Sequence, residues 1–386
     1  MADDPEPSSP PIARRYLEFP HLLRAVRIAS DGRKLILASL GLMALAAGWA
    51  ALDRAFGGPS VGLSRVEPGS LAEWPTAFGT GGVPAELARR VSEPFRVVVS
   101  PFLLLFQKGV GPAGWLRAAL TALWAVAVWG VFGGAIARIA AVQASCDRRV
   151  GLGSALRFAL GKSASLIGAP LIPLLAVAVF AGFCAVIGLL YRIPGGVGPA
   201  IGSLLGFVPL LLGLMMAVIL GGLAAGWPLM VATVAAEGED APDALSRSYS
   251  YVNQRLARYS AHAVAAWAIG SLGLLVAIVF SRAVIALAGW GVGLGAPDPL
   301  PSTDLGDTIG LLWVRLVGLL VHGWVYSYFW SAASVIYLIL RRDVDGTDWH
   351  DVYLPEHAAD TFAAGPELGA EKIPSPEPGP AEAGVG

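Results

Sequence analysis

Six apolar segments, residues 35–52, 116–136, 166–190, 201–232, 263–290 and 309–340, limit what this chain can fold into. A helix crossing the hydrocarbon of a bilayer needs roughly 20 apolar residues, and each segment is near or above that length. Inside hydrocarbon the backbone must satisfy its own N–H and C=O groups, which a helix does within one segment. The expected fold class is therefore all-α, a polytopic transmembrane helical bundle of about six spans. Charge supports this reading. Charged residues make up 14% of the chain, against about 25% in a soluble domain. A water-facing surface of this size would need more ionic groups. The net charge of −1 carries no polyanion-binding signature, so no nucleic-acid partner is implied.

The last three segments exceed a perpendicular crossing and must tilt, kink or extend beyond the hydrocarbon. Pro209 and Pro228 are expected to kink the fourth, and Pro170 and Pro173 to distort the start of the third. Residues 94–106 are apolar but too few to span. They are expected to lie in the outer interface or to re-enter among the helices; the alternative is a true span, which would flip everything downstream and spoil the count of basic residues. Basic residues set the orientation. With the N-terminus inside, the inner segments hold 17 Lys and Arg and the outer loops 7, six of those in the long outer loop 53–112. Both termini are thus expected in the cytoplasm of a bacterial inner membrane. Residues 1–11 are acidic and Pro-rich, and no cleavage site follows the first span, so that span reads as retained rather than as a secretory signal. The expected organisation is a disordered N-terminus (1–19), a transmembrane domain (20–342) and a mostly disordered tail (343–386). Cys146 and Cys184, one on an inner segment and one inside a helix, should form no disulfide.

Each odd-numbered span is preceded by a short stretch with apolar residues on one helical face. These are about 20–29 (Leu22, Ala25, Val26, Ala29), 151–162 (Leu152, Ala155, Leu156, Ala159) and 241–256 (Ala244, Leu245, Ser248, Val252). The chain reads as three hairpins, each introduced by an interfacial amphipathic helix. Arg24, Arg157 and Arg247 on these helices are the candidates for contact with anionic lipid headgroups. Gly130 with Gly134, Gly202 with Gly206 and Gly222 with Gly226 space small residues so that helices can approach closely. The same spacing is compatible with a homo-oligomer seam or a membrane partner protein. Trp115, Trp290 and Trp349 fall near the expected interfaces, as an aromatic belt would place them.

A span, then Glu237-Gly238-Glu239-Asp240-Ala241-Pro242-Asp243-Ala244-Leu245-Ser246-Arg247-Ser248-Tyr249, then another span resembles uncharacterised bacterial multi-pass membrane proteins. The arrangement is similar in style to the membrane domain attached to some glycerophosphodiester phosphodiesterases. The segment Tyr337-Leu338-Ile339-Leu340-Arg341-Arg342-Asp343-Val344-Asp345-Gly346-Thr347 also resembles membrane proteins of planctomycete type. The resemblance covers about residues 135–347. It implies a fold style and inner-membrane residence. The phosphodiesterase catalytic barrel is absent from this sequence, so that chemistry is not implied.

Ionisable residues within spans are the sharpest functional hints. Arg282 and Arg315 lie at similar expected depth near the outer ends of the fifth and sixth spans, and His322 and Tyr326 share a face of the sixth with Arg315. A cationic pocket holding a phosphate or another anion is one reading, since the guanidinium fork suits phosphate. Snorkelling to the outer interface, or pairing with Asp304 and Asp307, is the other. The carboxylates from Asp343 to Asp351 lack the order of a calcium loop, and no P-loop, zinc motif or nucleophile elbow occurs. No catalytic residue, metal or cofactor is expected. The function reads as a membrane scaffold or accessory component, with a transporter or lipid-handling permease as the alternative, and with the lipid bilayer, including anionic lipids, as the partner.

Overall fold

The computed structural model describes residues 19–57, 82–106, 111–295 and 303–353. Residues 353–386 form a separate unit, of which only Tyr353 lies among the described residues. The expected disordered ends therefore fall almost wholly outside the described residues. Within them the chain is helical throughout, with no strand.

In chain order the helices are α1 (Phe19–Ala29), α2 (Gly32–Ala55), α3 (Gly82–Val91), α4 (Glu93–Leu104), α5 (Pro112–Cys146), α6 (Leu152–Gly161), α7 (Ser163–Leu190), α8 (Val197–Leu204), α9 (Phe207–Glu237), α10 (Ala241–Gln254), α11 (Leu256–Gly293) and α12 (Asp304–Asp345). Six of them, α2, α5, α7, α9, α11 and α12, are long and apolar enough to cross a membrane. The boundaries follow local chemistry. Asp31 caps α2 by accepting from the Arg33 N–H at 3.0 Å, and Thr303 caps α12 by accepting from the Gly306 N–H at 3.1 Å. Gly238 and Gly346 end α9 and α12 in the left-handed region, where a Cβ is unfavourable.

One expectation about prolines needs correction. The fourth apolar segment is not one kinked helix but two, α8 and α9, broken at Leu205–Gly206. Pro209 sits in the first turn of α9, where its missing N–H does no harm. Pro170 and Pro173 lie inside α7, which runs unbroken through both.

Cross-contacts fix the helix directions. Arg117 on α5 pairs with Asp53 on α2 at one end, and Lys34 donates to Gln143 at 2.6 Å near the other, so α2 and α5 are antiparallel. Trp129 stacks on Tyr326, and the Trp349 indole N–H reaches the Ala144 carbonyl, so α5 and α12 are parallel. Trp227 meets Trp330 edge-on and Glu237 meets Tyr337, so α9 runs with them. We call the end where α2, α7 and α11 begin the proximal end, and the other the distal end.

The short helices α1, α6 and α10 each precede a span beginning at the proximal end, with one or two residues between. Their apolar residues are buried: Leu22, Ala25 and Ala29 on α1, Ala155 and Ala159 on α6, Ala244 and Val252 on α10. α1 is wedged into the bundle rather than laid along its rim. Ser327 of α12 donates to the Ala29 carbonyl at 2.7 Å, and the Trp324 indole N–H reaches Ser30 Oγ at 3.2 Å. The glycines make close packing possible. A Cβ on Gly134 would meet Leu166, one on Gly222 would meet Tyr249, and one on Gly133 would run into the Trp330 ring. Gly202 packs instead against Tyr191 of its own connection. Trp115 and Trp290 are exposed, as belt residues would be. Cys146 and Cys184 are free thiols.

Candidate buried carboxylate site

The chain between α2 and α5 leaves and returns at the distal end, and within it α3 and α4 turn at Ser92. The turn lies deep in the bundle. The Trp267 indole N–H donates to Ser92 Oγ at 2.9 Å. Glu93, the first residue of α4, reaches α12, where His322 Nε2 stands 2.6 Å from Glu93 Oε1. The Tyr326 hydroxyl donates to the same oxygen at 3.2 Å. Measured along α12 at ~1.5 Å per residue, His322 is about 27 Å from the distal end of that helix and about 35 Å from its proximal end. The pair α3–α4 is thus a helix–turn–helix inserted among the six long helices, in the manner expected of a re-entrant pair.

The site is well enclosed. The His322 side chain is 2% exposed, that of Glu93 16%, and Tyr326 is fully buried beneath the stacked Trp129 ring. Spacing on α12 puts His322 and Tyr326 one turn apart on one face, with ring centroids 5.7 Å apart. Against an ionised carboxylate, Nε2–H is the donor. Nδ1 is buried and without a hydrogen-bond partner among the described residues. Arg96, one turn along α4, donates to the Arg89 carbonyl at 3.0 Å. The arrangement places one carboxylate and one imidazole in contact with a phenol beside them, so a proton added to the pair can be shared between Glu93 Oε1 and His322 Nε2 in a largely enclosed setting.

Two cavities flank the turn, and Phe95 lines both. One, of about 260 Å³, lies between Ser92, Tyr259, Trp267, Pro228 and Tyr328. The other, of about 310 Å³, is lined by Phe102, Phe106, Pro170, Leu220 and Trp227 and is almost wholly apolar. Arg282 and Arg315 line neither.

The four residues expected to form one pocket are thus divided. His322 and Tyr326 meet each other and Glu93. Arg282 and Arg315 have exposed side chains, Arg315 lying about 10 Å along α12 from His322 on the distal side. Similar depth on neighbouring helices did not bring the arginines onto the inward face. The headgroup candidates also differ. Arg24 and Arg157 are exposed, whereas Arg247 is held in ion pairs by Glu237 and by Glu239, the latter at 3.0 Å. The carboxylates near the end of α12 are engaged as well, Asp343 by Arg255 and Arg258, Asp345 by the Tyr251 hydroxyl and Asp351 by Arg341. Among the described residues no group of three His, Cys, Asp or Glu converges as metal ligands would.

The residue that the sequence reading missed is Glu93. Its signal is present in hindsight. Ser92-Glu93-Pro94 places a carboxylate at the head of an apolar stretch too short to span, and that is how a re-entrant helix start reads.

No family, curated protein or solved structure matches the chain.

Proposed function

We propose that the chain is a lipid-handling permease of a bacterial inner membrane, with its proximal end in the cytoplasm and Glu93–His322–Tyr326 as its proton-exchanging site. The observation that carries this reading is a carboxylate delivered by a re-entrant helix pair to an imidazole in the middle of six apolar helices. An ionisable residue at such depth is expensive and is kept where it acts. A re-entrant segment is tolerated at membrane depth where protein or a cavity covers it. The larger flanking cavity is almost wholly apolar, which suits an acyl chain and not a hydrophilic solute. The excess of basic residues on the proximal segments supports the orientation.

The test is transbilayer movement of fluorescent phosphatidylcholine and phosphatidylglycerol in proteoliposomes, followed by dithionite quenching. The expected result is movement faster than in protein-free vesicles, slowed at least about tenfold by Glu93→Gln, an effect of about 1.4 kcal/mol on the barrier. Wild-type protein no faster than empty vesicles would reject the permease. A membrane scaffold or accessory component is the second reading. It is favoured by the interior of the proximal half, which is closely packed below its rim and holds Arg341 against Glu237.

A further inference from the structure

We propose that the proximal rim holds a second site, independent of the buried carboxylate, that binds a phosphate group carried by a lipid headgroup or by a small phosphate ester. The site is a cavity of about 520 Å³ where α1, the start of α2 and the α5–α6 connection meet. Arg24 and Arg27 enter it from α1, Arg33 from α2 and Arg149 from the connection. A second cavity of about 350 Å³ shares Arg24 and Asp147 with the first and adds Arg342.

The charges in the first cavity do not cancel. Its acids are Asp31 and Asp147, against four arginines. Asp31 is already committed. It accepts from the Arg33 N–H at 3.0 Å and from the Gln143 amide at 2.7 Å, and that amide's oxygen takes the fully buried Lys34 ammonium. Burial raises the Asp31 carboxyl, but these hydrogen bonds and the neighbouring Lys34 and Arg33 charges outweigh it, so it sits below its ordinary value. Arg33 spends one nitrogen on the Val150 carbonyl at 2.7 Å, which pins the connection against α2. Arg24, Arg27 and Arg149 have no acidic partner among the described residues. Asp147 is the only non-glycine described residue in the left-handed region, φ 52°, and both it and Arg149, two residues on, line the cavity. Several unspent guanidinium forks around one concavity match the tetrahedral oxygens of phosphate better than a single carboxylate would. The cavity also lies where the apolar run of α2 begins, next to Asp31 and Arg33.

The full chain in detergent is exposed to equal amounts of dioleoylphosphatidylglycerol and dioleoylphosphatidylcholine, and bound lipid is counted by native mass spectrometry. In parallel, equilibrium binding of radiolabelled glycerol 3-phosphate is measured. The variants are the triple Arg24→Gln, Arg27→Gln, Arg149→Gln and, as a control, Arg157→Gln, an exposed arginine on α6 outside the cavity. Loss of the phosphatidylglycerol preference by about tenfold in the triple variant alone identifies a lipid headgroup. Loss of glycerol 3-phosphate binding by a similar factor in the triple variant alone identifies a soluble ester. Wild-type behaviour of the triple variant in both arms overturns the proposal, as does an equal loss in Arg157→Gln, which would report net charge alone. The lipid-movement assay with Glu93→Gln is indifferent to all of these outcomes.

Discussion

The two halves of α12 have opposite surroundings. From Gly306 to Leu320 nearly every side chain is exposed, whereas from Val321 to Arg341 nearly every one is buried, including Ser327, Ser331, Ser334, Tyr337 and Arg341. The same division runs across the molecule. On α9 the most apolar window has no buried residue, while Gly226–Ala236 is buried throughout. Glycines within the spans follow it in part, although Gly48 is crowded by Trp124 at the distal end of α2. Gly182, Gly213, Gly289 and Gly310 have open space where a Cβ would go, but Gly133, Gly270, Gly273 and Gly323 have a neighbour within 3 Å. The distal half presents apolar surface suited to lipid, which gives helices little drive to associate. The proximal half is a true protein core, built by adding α1, α6 and α10 to the spans and matching polar groups inside. Polarity and burial are therefore decoupled in this chain, and burial follows the short helices.

The largest expected contrast is between two arginines on α12. Arg341 is buried against Glu237 at 3.1 Å, within a group that includes Tyr337 and Arg247. Replacing Arg341 by Leu leaves a buried carboxylate short of a partner and should destabilise by about 3 kcal/mol. Arg315→Leu, in the exposed half, should change stability by no more than about 0.5 kcal/mol. Reversible denaturation in mixed micelles measures both. Equal effects would break the division between the halves.

A smaller contrast comes from the glycines. Gly133→Ala drives a Cβ into the Trp330 ring and should destabilise by about 2 kcal/mol. Gly310→Ala meets nothing and should stabilise by about 0.5 kcal/mol through helix propensity. The same denaturation series reads both, and a harmless Gly133→Ala would mean that the Trp330 side of the core yields more readily than its packing suggests.

Much of the architecture could be read in the sequence because lipid imposes a rule that composition alone can express. Spans of about 20 apolar residues have few alternatives, and the helical face of Leu22, Ala25 and Ala29 was visible as spacing. The break before Pro209 was half legible. Proline marked the place, but not that the chain would separate there into two helices. The site was legible only on α12, where His322 and Tyr326 share a face by periodicity. Its other half lies 229 residues away, and no local pattern couples Glu93 to a particular histidine. Arg282 and Arg315 misled for a related reason. Depth follows from counting residues, but rotation about the helix axis follows from neighbours. The Glu237 group was missed because its members come from three helices, each unremarkable by itself.

The smallest effect concerns the element that crosses the division. The re-entrant pair enters from the distal side yet carries its own internal charges. On α3, Glu86 accepts from Arg89 at 2.6 and 2.8 Å and from Arg90 at 2.7 Å. The Arg89 hydrogen bonds, reinforced by Arg90 and opposed by burial, pull its carboxyl from 4.5 down to about 2. A carboxyl that ionises more readily folded than unfolded contributes stability that is complete above the unfolded value. That contribution fades as the pH falls from about 4.5 and is gone below about 2. The Arg89 side chain is 58% exposed, so solvent screens the interaction. A contribution on the order of 0.5 kcal/mol is expected. Hydrogen exchange of the α3 amides, corrected for intrinsic rates, should accelerate by about twofold between pH 5 and pH 3 in the wild type and not in Glu86→Gln. If both proteins accelerate alike, α3 is held by its packing on α11 alone. The re-entrant pair would then belong with the lipid-facing half in everything except Glu93.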